Sequence, residues 1–353
     1  MWRATSIDLK KPRSYPASPL LSSTFAVATV GLLAVGCSSQ NVSAPTSSAS
    51  ARPAGSSPAT SPARPQTVTF TSSMAAFKLP AAVSRPTVFA AVEGLLVVGG
   101  LTAADTTTQA ILRVDVAQRT VNTAGGLPVP VHDAAGAVVN GRNLIFGGGS
   151  TAVTSAVQDV TPGASPRVIS HLPQTRADLV AISDSNVGYV LGGFDGTQGS
   201  TTILRTSDGV RFAVIGTLPV AVRYPAVAAS AGSIWLFGGE HDGKQVTDVQ
   251  QIDLTTGNGS IAGHLPSPLA HAGAFTLGGT IFIAGGRVGA AATSDVLAFD
   301  AAKASFTAAG HLPAARSDFG VAVVAGTAYL VGGESPKPVD TVIQGRAQTG
   351  GTP

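Results

Sequence analysis

Short apolar runs alternate with turn residues along most of the chain, and one arrangement of them recurs six times. Each copy opens on a Leu-Pro dipeptide, passes through two apolar runs and ends on a glycine pair that begins 20 residues after the leucine. The leucines are Leu79, Leu127, Leu172, Leu218, Leu265 and Leu312. Intervals between copies vary from 45 to 48 residues, so insertions fall outside the constant stretch. The pattern predicts a rigid two-stranded hairpin repeated six times.

Two further strands complete each unit. After the glycines, "TDVQQIDL" (residues 247–254) and "SDVLAFD" (residues 294–300) are typical of third strands, and "SFTAAG" (residues 305–310) of a short fourth strand. Six four-stranded units of this period predict an all-β, six-bladed β-propeller over residues 67–353.

The ends of the repeat region predict how the ring closes. The sixth unit has a third strand in "VDTVIQG" (residues 339–345), but only "RAQTGGTP" remains for a fourth. The stretch "TVTFTSSMAAFK" (residues 67–78) precedes the first Leu-Pro and has no unit of its own. We therefore expect this N-terminal stretch to supply the outer strand of the last blade and to remove its open edge.

The repeat resembles the kelch family of the galactose-oxidase-like superfamily. That resemblance rests on the apolar hairpin ending in Gly-Gly, the Asp-containing third strand and the Leu-Pro link that carries an arginine. The chain departs from the family in lacking most of its Tyr and Trp residues after the glycines, with Phe212 and Phe306 as possible replacements for Trp. Kelch-related copper oxidases also need a cysteine crosslinked to a tyrosine. The single cysteine, Cys37, lies directly after the N-terminal leader, so this chemistry is excluded and no cofactor is expected.

The N-terminal leader, residues 1–36, predicts where the protein is localised. Lys10, Lys11 and Arg13 precede a 12-residue apolar run (residues 25–36) that ends at Cys37. Such a run is too short to span a bilayer and matches the apolar region of a signal peptide. "LLAVGC" resembles the lipobox of bacterial lipoproteins, with Ala34 where that family usually has Leu. The expectation is a signal peptide over residues 1–36 and a lipidated Cys37 on the extracytoplasmic face of the bacterial cell membrane. An ordinary secretory signal or an uncleaved anchor remains the alternative.

Composition separates the leader from the rest of the chain. Residues 37–66 are rich in Ser, Ala and Pro, which predicts a flexible tether. The chain carries a net charge of +3, and all of it comes from the residues before Cys37. The remainder is neutral, so its charge gives no support to a nucleic-acid partner.

One set of candidate site residues recurs with the repeat. A cationic or titratable side chain stands four to six residues after each leucine: Arg85, His132, Arg176, Arg223, His271 and Arg316. The kelch resemblance implies that these side chains approach one mouth of the central channel. They either form a ring of donors for a polar ligand or bond the backbone carbonyls of adjacent blades.

A second set breaks the repeat in the loops after the glycines. These candidates are Phe194, Asp195, Glu240, His241, Arg287 and Glu334. They could form a binding or acid/base cluster at the same mouth, or they could be solvated loop residues beside Asp-Gly turns.

The sequence is compatible with two functions. The first is a membrane-anchored module that binds a protein, a peptide or a small polar ligand at the loop mouth. The second, implied by resemblance to bacterial kelch sugar-acid epimerases and mutarotases, uses arginine to hold a carboxylate and glutamate to move a proton. Arg223, Arg287, Glu240 and Glu334 are its candidates. The sequence contains no complete hydrolase, P-loop or zinc motif, which favours binding over catalysis, and it predicts no metal site.

Overall fold

A computed structural model describes residues 68–350 of the chain, and every regular element in that range is a β-strand. In this range no helix is long and apolar enough to cross a membrane. The expected signal peptide, Cys37 and the tether lie outside the described residues.

Thirty strands follow one another along the described chain. In chain order they are β1 (Val68–Lys78), β2 (Val83–Ser84), β3 (Thr87–Ala91), β4 (Gly94–Val98), β5 (Leu101–Thr102), β6 (Ala110–Asp115), β7 (Thr120–Gly126), β8 (Ala135–Val139), β9 (Arg142–Phe146), β10 (Ala156–Asp159), β11 (Arg167–His171), β12 (Ala177–Asp184), β13 (Val187–Phe194), β14 (Thr202–Thr206), β15 (Ala213–Thr217), β16 (Ala226–Ser230), β17 (Ser233–Phe237), β18 (Glu240–His241), β19 (Lys244–Gln245), β20 (Asp248–Asp253), β21 (Gly259–His264), β22 (Gly273–Leu277), β23 (Thr280–Ala284), β24 (Arg287–Val288), β25 (Ala291–Ala292), β26 (Asp295–Asp300), β27 (Ser305–His311), β28 (Gly320–Val324), β29 (Thr327–Val331) and β30 (Thr341–Thr349).

Six antiparallel four-stranded sheets form the blades of a propeller. From blade 1 to blade 6 the strand orders are β3-β4-β6-β7, β8-β9-β10-β11, β12-β13-β14-β15, β16-β17-β20-β21, β22-β23-β26-β27 and β28-β29-β30-β1. The predicted all-β, six-bladed propeller is therefore confirmed. Three two-stranded ladders, β2-β5, β18-β19 and β24-β25, lie in the loops beside the link segments.

The ring closes as the strand count predicted. Strand β1 pairs antiparallel with β30, from Val68 opposite Thr349 to Met74 opposite Ile343. Phe70 of β1 is buried and packs on Phe275 and Phe282 of blade 5, with ring centroids 5.4 and 5.6 Å apart. The N-terminal strand thus completes blade 6 and also seals it against its neighbour.

The hydrophobic core lies between the blades. Six clusters of buried side chains occur, and each one combines residues from two neighbouring blades. Between blades 4 and 5, for example, Phe237 meets Phe299 edge to face at 5.0 Å, and Phe306 packs on the same ring at 4.9 Å. Because each face of a sheet is covered by the next sheet, the inner strands are almost entirely apolar.

The glycine pairs join consecutive blades. In all six blades the N–H of the second glycine donates to the carbonyl oxygen of the residue four positions after the next leucine, at 2.7–2.9 Å. A Cβ on the first glycine would lie only 2.1–2.7 Å from that same oxygen. Both glycines also have positive φ in every copy. Glycine is required here because the neighbouring link approaches too closely for any side chain.

Candidate functional site

Six equivalent residues surround one mouth of the central channel. Each lies six positions after a repeat leucine, and the set is Arg85, Asp133, Asp178, Tyr224, His271 and Asp318. All six have positive φ, between 51° and 59°, although none is glycine. Side chains are uncommon in this region of backbone space, so the surrounding structure must hold each residue there. We call this set the mouth ring.

Backbone hydrogen bonds hold the mouth ring. The N–H of one member donates to the carbonyl of the preceding member at five of the six blade junctions, with distances of 2.6–3.0 Å. Blade 6 is joined to blade 1 in this way, through the N–H of Arg85 and the carbonyl of Asp318 at 2.6 Å. The ring therefore fixes six side chains of different chemistry around one opening.

The recurring cationic residues predicted from sequence do not share one position. Arg85 and His271 belong to the mouth ring, six residues after their leucines. His132 and Arg223 stand one residue earlier, and Arg176 and Arg316 two residues earlier. This difference in register separates the set into mouth residues and scaffold residues.

Arg176 and Arg316 are scaffold residues and do not reach the mouth. Both are about 1% exposed. Arg316 donates from Nη1 to the carbonyl of Gly332 at 2.7 Å and from Nη2 to Oγ1 of Thr341 at 3.0 Å. Arg176 makes the corresponding bonds in blade 3, including 3.0 Å to the carbonyl of Thr202. These carbonyls belong to the same blade as the arginine, so the expected link between adjacent blades is not what these side chains provide.

The loops after the glycine pairs return to the mouth. In every blade the first residue beyond the glycines lies antiparallel to the residue five positions after a leucine, as in Arg223 with Glu240 and Ser317 with Glu334. The ladder β18-β19 carries Glu240 and the ladder β24-β25 carries Arg287. Short hairpins thus bring repeat-breaking side chains beside the mouth ring.

His271 lies between two carboxylates. Its Nδ1 donates to Asp318 Oδ1 at 2.6 Å and its Nε2 to Glu240 Oε1 at 3.3 Å. Its ring also stacks on Tyr224 at 4.1 Å. Burial opposes the charged form, but the hydrogen bonds to Asp318 and Glu240 outweigh it and raise the pKa of His271 to about 9. Because both ring nitrogens face carboxylate oxygens, which accept hydrogen bonds, this side chain is an imidazolium at neutral pH.

Three arginines contact acidic members of the mouth. Arg85 donates from Nη1 to Asp133 at 2.9 Å. Arg223 donates from Nε to Asp178 at 2.6 Å, and its guanidinium lies 4.5 Å from the ring centroid of Phe194. Arg287 donates to Asp318 at 3.0 Å and also bonds Glu334. We call Arg85, Arg223 and Arg287 the mouth arginines.

The carboxylates of the mouth differ in their protonation. Burial raises the pKa of Asp133 to about 7, although Arg85 opposes that shift. Burial also acts on Asp318, but the hydrogen bond and charge of His271 outweigh it and lower the pKa of Asp318 to about 2. The hydrogen bond from His271 lowers the pKa of Glu240. Burial and nearby carboxylates raise the pKa of Tyr224, so its hydroxyl keeps its proton.

The mouth arginines are more exposed than the aspartates that they bind. The side chains of Arg85, Arg223 and Arg287 are 24–36% exposed, whereas Asp133, Asp178 and Asp318 are 2–7% exposed. Each mouth arginine also retains one terminal nitrogen that makes no hydrogen bond to another described residue: Arg85 Nη2, Arg223 Nη1 and Arg287 Nη1. The opening therefore presents unused charged donors above buried carboxylates.

Three further candidates lie around this centre. His132 accepts or donates a hydrogen bond with Thr107 at 2.8 Å, and burial together with Arg85 lowers its pKa. His241 bonds the carbonyl of Ala221 at 2.8 Å and is exposed. Asp195 accepts the N–H groups of Thr197 and Gln198 in an exposed turn, and these bonds lower its pKa. Asp195 thus stabilises its own loop.

Sequence reasoning missed four members of the mouth ring: Asp133, Asp178, Tyr224 and Asp318. The signal was available, because these residues keep a constant offset of six from the leucine just as the glycines keep an offset of 20. The first cationic or titratable residue after each leucine stands at an offset of four, five or six, so that set combines three structural positions. In the described range no group of three or more His, Cys, Asp and Glu residues is arranged to hold a metal ion.

Comparison with known proteins supports the fold alone. No protein-family model matches the chain, and no curated protein matches it in sequence. Among solved structures, that of YjhT is similar, with a TM-score of 0.68 at 18% sequence identity. The match covers 77% of this chain and 99% of the YjhT chain. At this identity the similarity extends to the propeller and not to what its mouth does.

Proposed function

We propose that this six-bladed propeller is a binding module that takes a small polar ligand with a carboxylate or similar anionic group at the mouth of its central channel. The observation that carries the proposal is the set of unused donors on Arg85, Arg223 and Arg287. Guanidinium groups recognise planar anions through paired N–H donors, and this recognition is strongest where the arginine is already held in place. Buried carboxylates hold all three mouth arginines.

The aromatic residues of the mouth indicate which other groups the ligand carries. Tyr224 lies between His271, stacked at 4.1 Å, and the guanidiniums of Arg85 and Arg223 at 5.7 and 5.3 Å from its ring. Because these side chains already cover the ring of Tyr224, little of its face is left for a sugar ring to stack on. Hydroxyl groups on the ligand are better matched by Glu240 and Glu334, which are 25% and 14% exposed and accept hydrogen bonds.

A ligand screen on the full chain tests the proposal. We expect small carboxylates to bind and their neutral amides to bind more weakly. Arg287→Gln should reduce the affinity about 10-fold to 100-fold, because a hydrogen bond to a charged group contributes about 1.5–3 kcal/mol. Arg211→Gln is the matched control, since Arg211 is 92% exposed on a turn of blade 3. Equal binding of acids and amides, or an unchanged affinity in Arg287→Gln, would contradict the proposal.

Catalysis at the same mouth is the second candidate function. The favourable observation is that the partly exposed carboxylate of Glu240 shares the mouth with Arg223 and Arg287, and both lie near enough to interact with its charge. A carboxylate beside two arginines is the arrangement that proton abstraction next to a bound acid group requires. An acid found in the screen should then exchange a carbon-bound proton with D2O, and Glu240→Gln should stop the exchange. Binding without exchange would leave the binding module as the function.

We also infer that Cys37 anchors the protein to the extracytoplasmic face of a bacterial membrane and that the kelch-like repeat is held outside the cell membrane by residues 37–66. The support is the apolar run followed by the single cysteine. Several acyl chains on one cysteine exceed the marginal affinity of a single chain, so the protein should sediment with membranes. Cys37→Ala should release it or stall its processing. A soluble wild-type protein whose first residue is not Cys37 would contradict the anchor.

A further inference from the structure

A second cavity lies between blades 1 and 2, at the end of the blades opposite the mouth ring. Its volume is about 510 Å³, which is within the range of pockets for small organic molecules. Blade 1 contributes the hairpin of β3 and β4 together with Leu96 and Val114, and blade 2 contributes Asn143, Thr161 and Pro162. Most of the wall is apolar, and Leu96 and Val114 are buried.

Asn143 departs from the repeat at this cavity. It lies four residues before its glycine pair, a position that is apolar or glycine in the other five blades: Leu95, Gly188, Ile234, Ile281 and Ala328. Asn143 is only 8% exposed, and its side-chain amide makes no hydrogen bond to another described residue. Its backbone N–H bonds Thr161 Oγ1 at 3.0 Å, which fixes the strand but leaves the amide free.

The Asn143 amide is accessible from the cavity, and it bonds no described residue. Five sister positions show that an apolar residue fits here. A polar residue in an otherwise apolar column is expected where a position serves more than the scaffold. The donors and the acceptor of this amide are therefore available to a molecule that enters the cavity from outside.

The junction between blades 1 and 2, where the cavity lies, also differs from the others in its backbone. In blades 2 to 6 both turn residues of the inner hairpin have positive φ, as with Asn140 and Gly141. The turn of blade 1 is Val92-Glu93, neither residue has positive φ, and Val92 is fully exposed. At the mouth, this is also the one junction in the described ring where no backbone hydrogen bond joins the neighbouring members, Arg85 and Asp133.

We propose that this cavity is a second ligand site, which takes an uncharged molecule with an apolar body and a carboxamide group. The Asn143 side chain offers one acceptor and two donors, and a carboxamide on the ligand returns the complementary pair. Charge plays no part, because the charged residues at the rim, Arg113 and Glu93, are paired with each other and half exposed. The apolar walls then contribute by burying the body of the ligand.

Benzamide is the probe for this site, with toluene as the matched molecule that lacks the amide. On the full chain, saturable binding of each is measured by ligand-observed NMR titration. We expect benzamide to bind more tightly than toluene. Asn143→Leu should lower the affinity for benzamide at least 10-fold and leave toluene unchanged. Ala90→Phe, which places a ring in the cavity, should weaken both.

Thermal melting of the same variants separates a ligand site from a structural role. Because Leu has the same branching of heavy atoms as Asn and is the residue at the equivalent position of blade 1, Asn143→Leu should keep or raise the melting temperature. A lower melting temperature would assign Asn143 to the scaffold and overturn the proposal. Equal binding of benzamide and toluene, or no saturable binding of benzamide, would overturn it as well. Carboxylate binding at the mouth is measured on the same variants and should be unchanged. The proposal for this cavity can therefore be contradicted without contradicting the proposal for the mouth.

Discussion

Arg316 and Arg85 follow equivalent leucines by four and six residues, yet they do different work. Arg316 and its counterpart Arg176 are buried and bond the carbonyls and a threonine of their own blades. Arg85 lies in the mouth ring, pairs with Asp133 and keeps a terminal nitrogen free. Residue type is the same in both places. In a repeat protein, the offset from the repeat landmark therefore decides whether a charged side chain stabilises the scaffold or serves the opening.

The largest effect is expected where the scaffold closes. Phe70→Ala removes a buried ring that joins blade 6 to blade 5, so it should lower the free energy of unfolding by about 3–5 kcal/mol. Met74→Ala in the same strand is the control, because Met74 is 44% exposed. Chemical denaturation of both variants measures the difference. Similar stabilities would mean that β1 is not needed to hold the ring closed.

A scaffold arginine should be the next most costly to remove. Arg316→Met keeps the length of the side chain but leaves the carbonyl of Gly332 without its side-chain donor and removes the bond to Oγ1 of Thr341, at a cost of about 1–3 kcal/mol. Binding of a carboxylate at the mouth should be unaffected. Arg287→Gln should show the opposite pattern, since Asp318 keeps its hydrogen bonds from His271 and Ser317. A loss of binding in Arg316→Met with normal stability would remove the distinction between the two regions.

The mouth should also make stability depend on pH. The pKa of His271 is raised to about 9 by its carboxylate partners, above its ordinary value of about 6.5. Its contribution is therefore complete below about pH 6.5 and is lost as the pH rises through about 9. Urea unfolding between pH 5.5 and 9.5 should show this decline in the wild type and a flatter profile in His271→Gln. His241→Gln, a change at an exposed histidine, should keep the wild-type slope.

The smallest effect on folding is expected at Glu240. Its carboxylate is partly exposed, and Asp318 continues to hold His271 when Glu240 is removed. Glu240→Ala should therefore change the free energy of unfolding by no more than about 1 kcal/mol, as for other partly exposed ion pairs. The same variant should alter the affinity for any ligand that binds the mouth. A melting temperature as low as that of Arg316→Met would place Glu240 in the scaffold.

The fold could be predicted from the sequence because its rules are repeated. The offset between Leu79 and Gly99 recurs in six copies, and the chain has one strand too few at its end and one to spare at its beginning. Both features follow from backbone geometry. Glycine is needed where neighbouring blades approach closely, and an unpaired strand edge is disfavoured. Local sequence is enough for rules of this kind.

The mouth was only partly predictable, because its contacts join residues that are far apart in the sequence. That His271 lies between Glu240 and Asp318 depends on how three blades converge, and nothing local to any of the three residues indicates it. The positions themselves were within reach, since Asp133, Asp178, Tyr224 and Asp318 keep one offset. Asn143 was also within reach, as the polar residue in an otherwise apolar column. Deviations at a fixed offset are the signal to look for in such chains.

The pairing of β1 with β30 also sets the order of events during synthesis. Val68 is among the first residues of the propeller to leave the ribosome, and its partner Thr349 is among the last. Until translation is nearly finished, β1 has no strand beside it, and the inner strands of blade 6 do not yet exist. Blades 1 to 5 can form in sequence as they emerge, but the ring stays open until the end of the chain arrives. A message cut short before β30 would yield a protein that retains most of its blades and has no way to close.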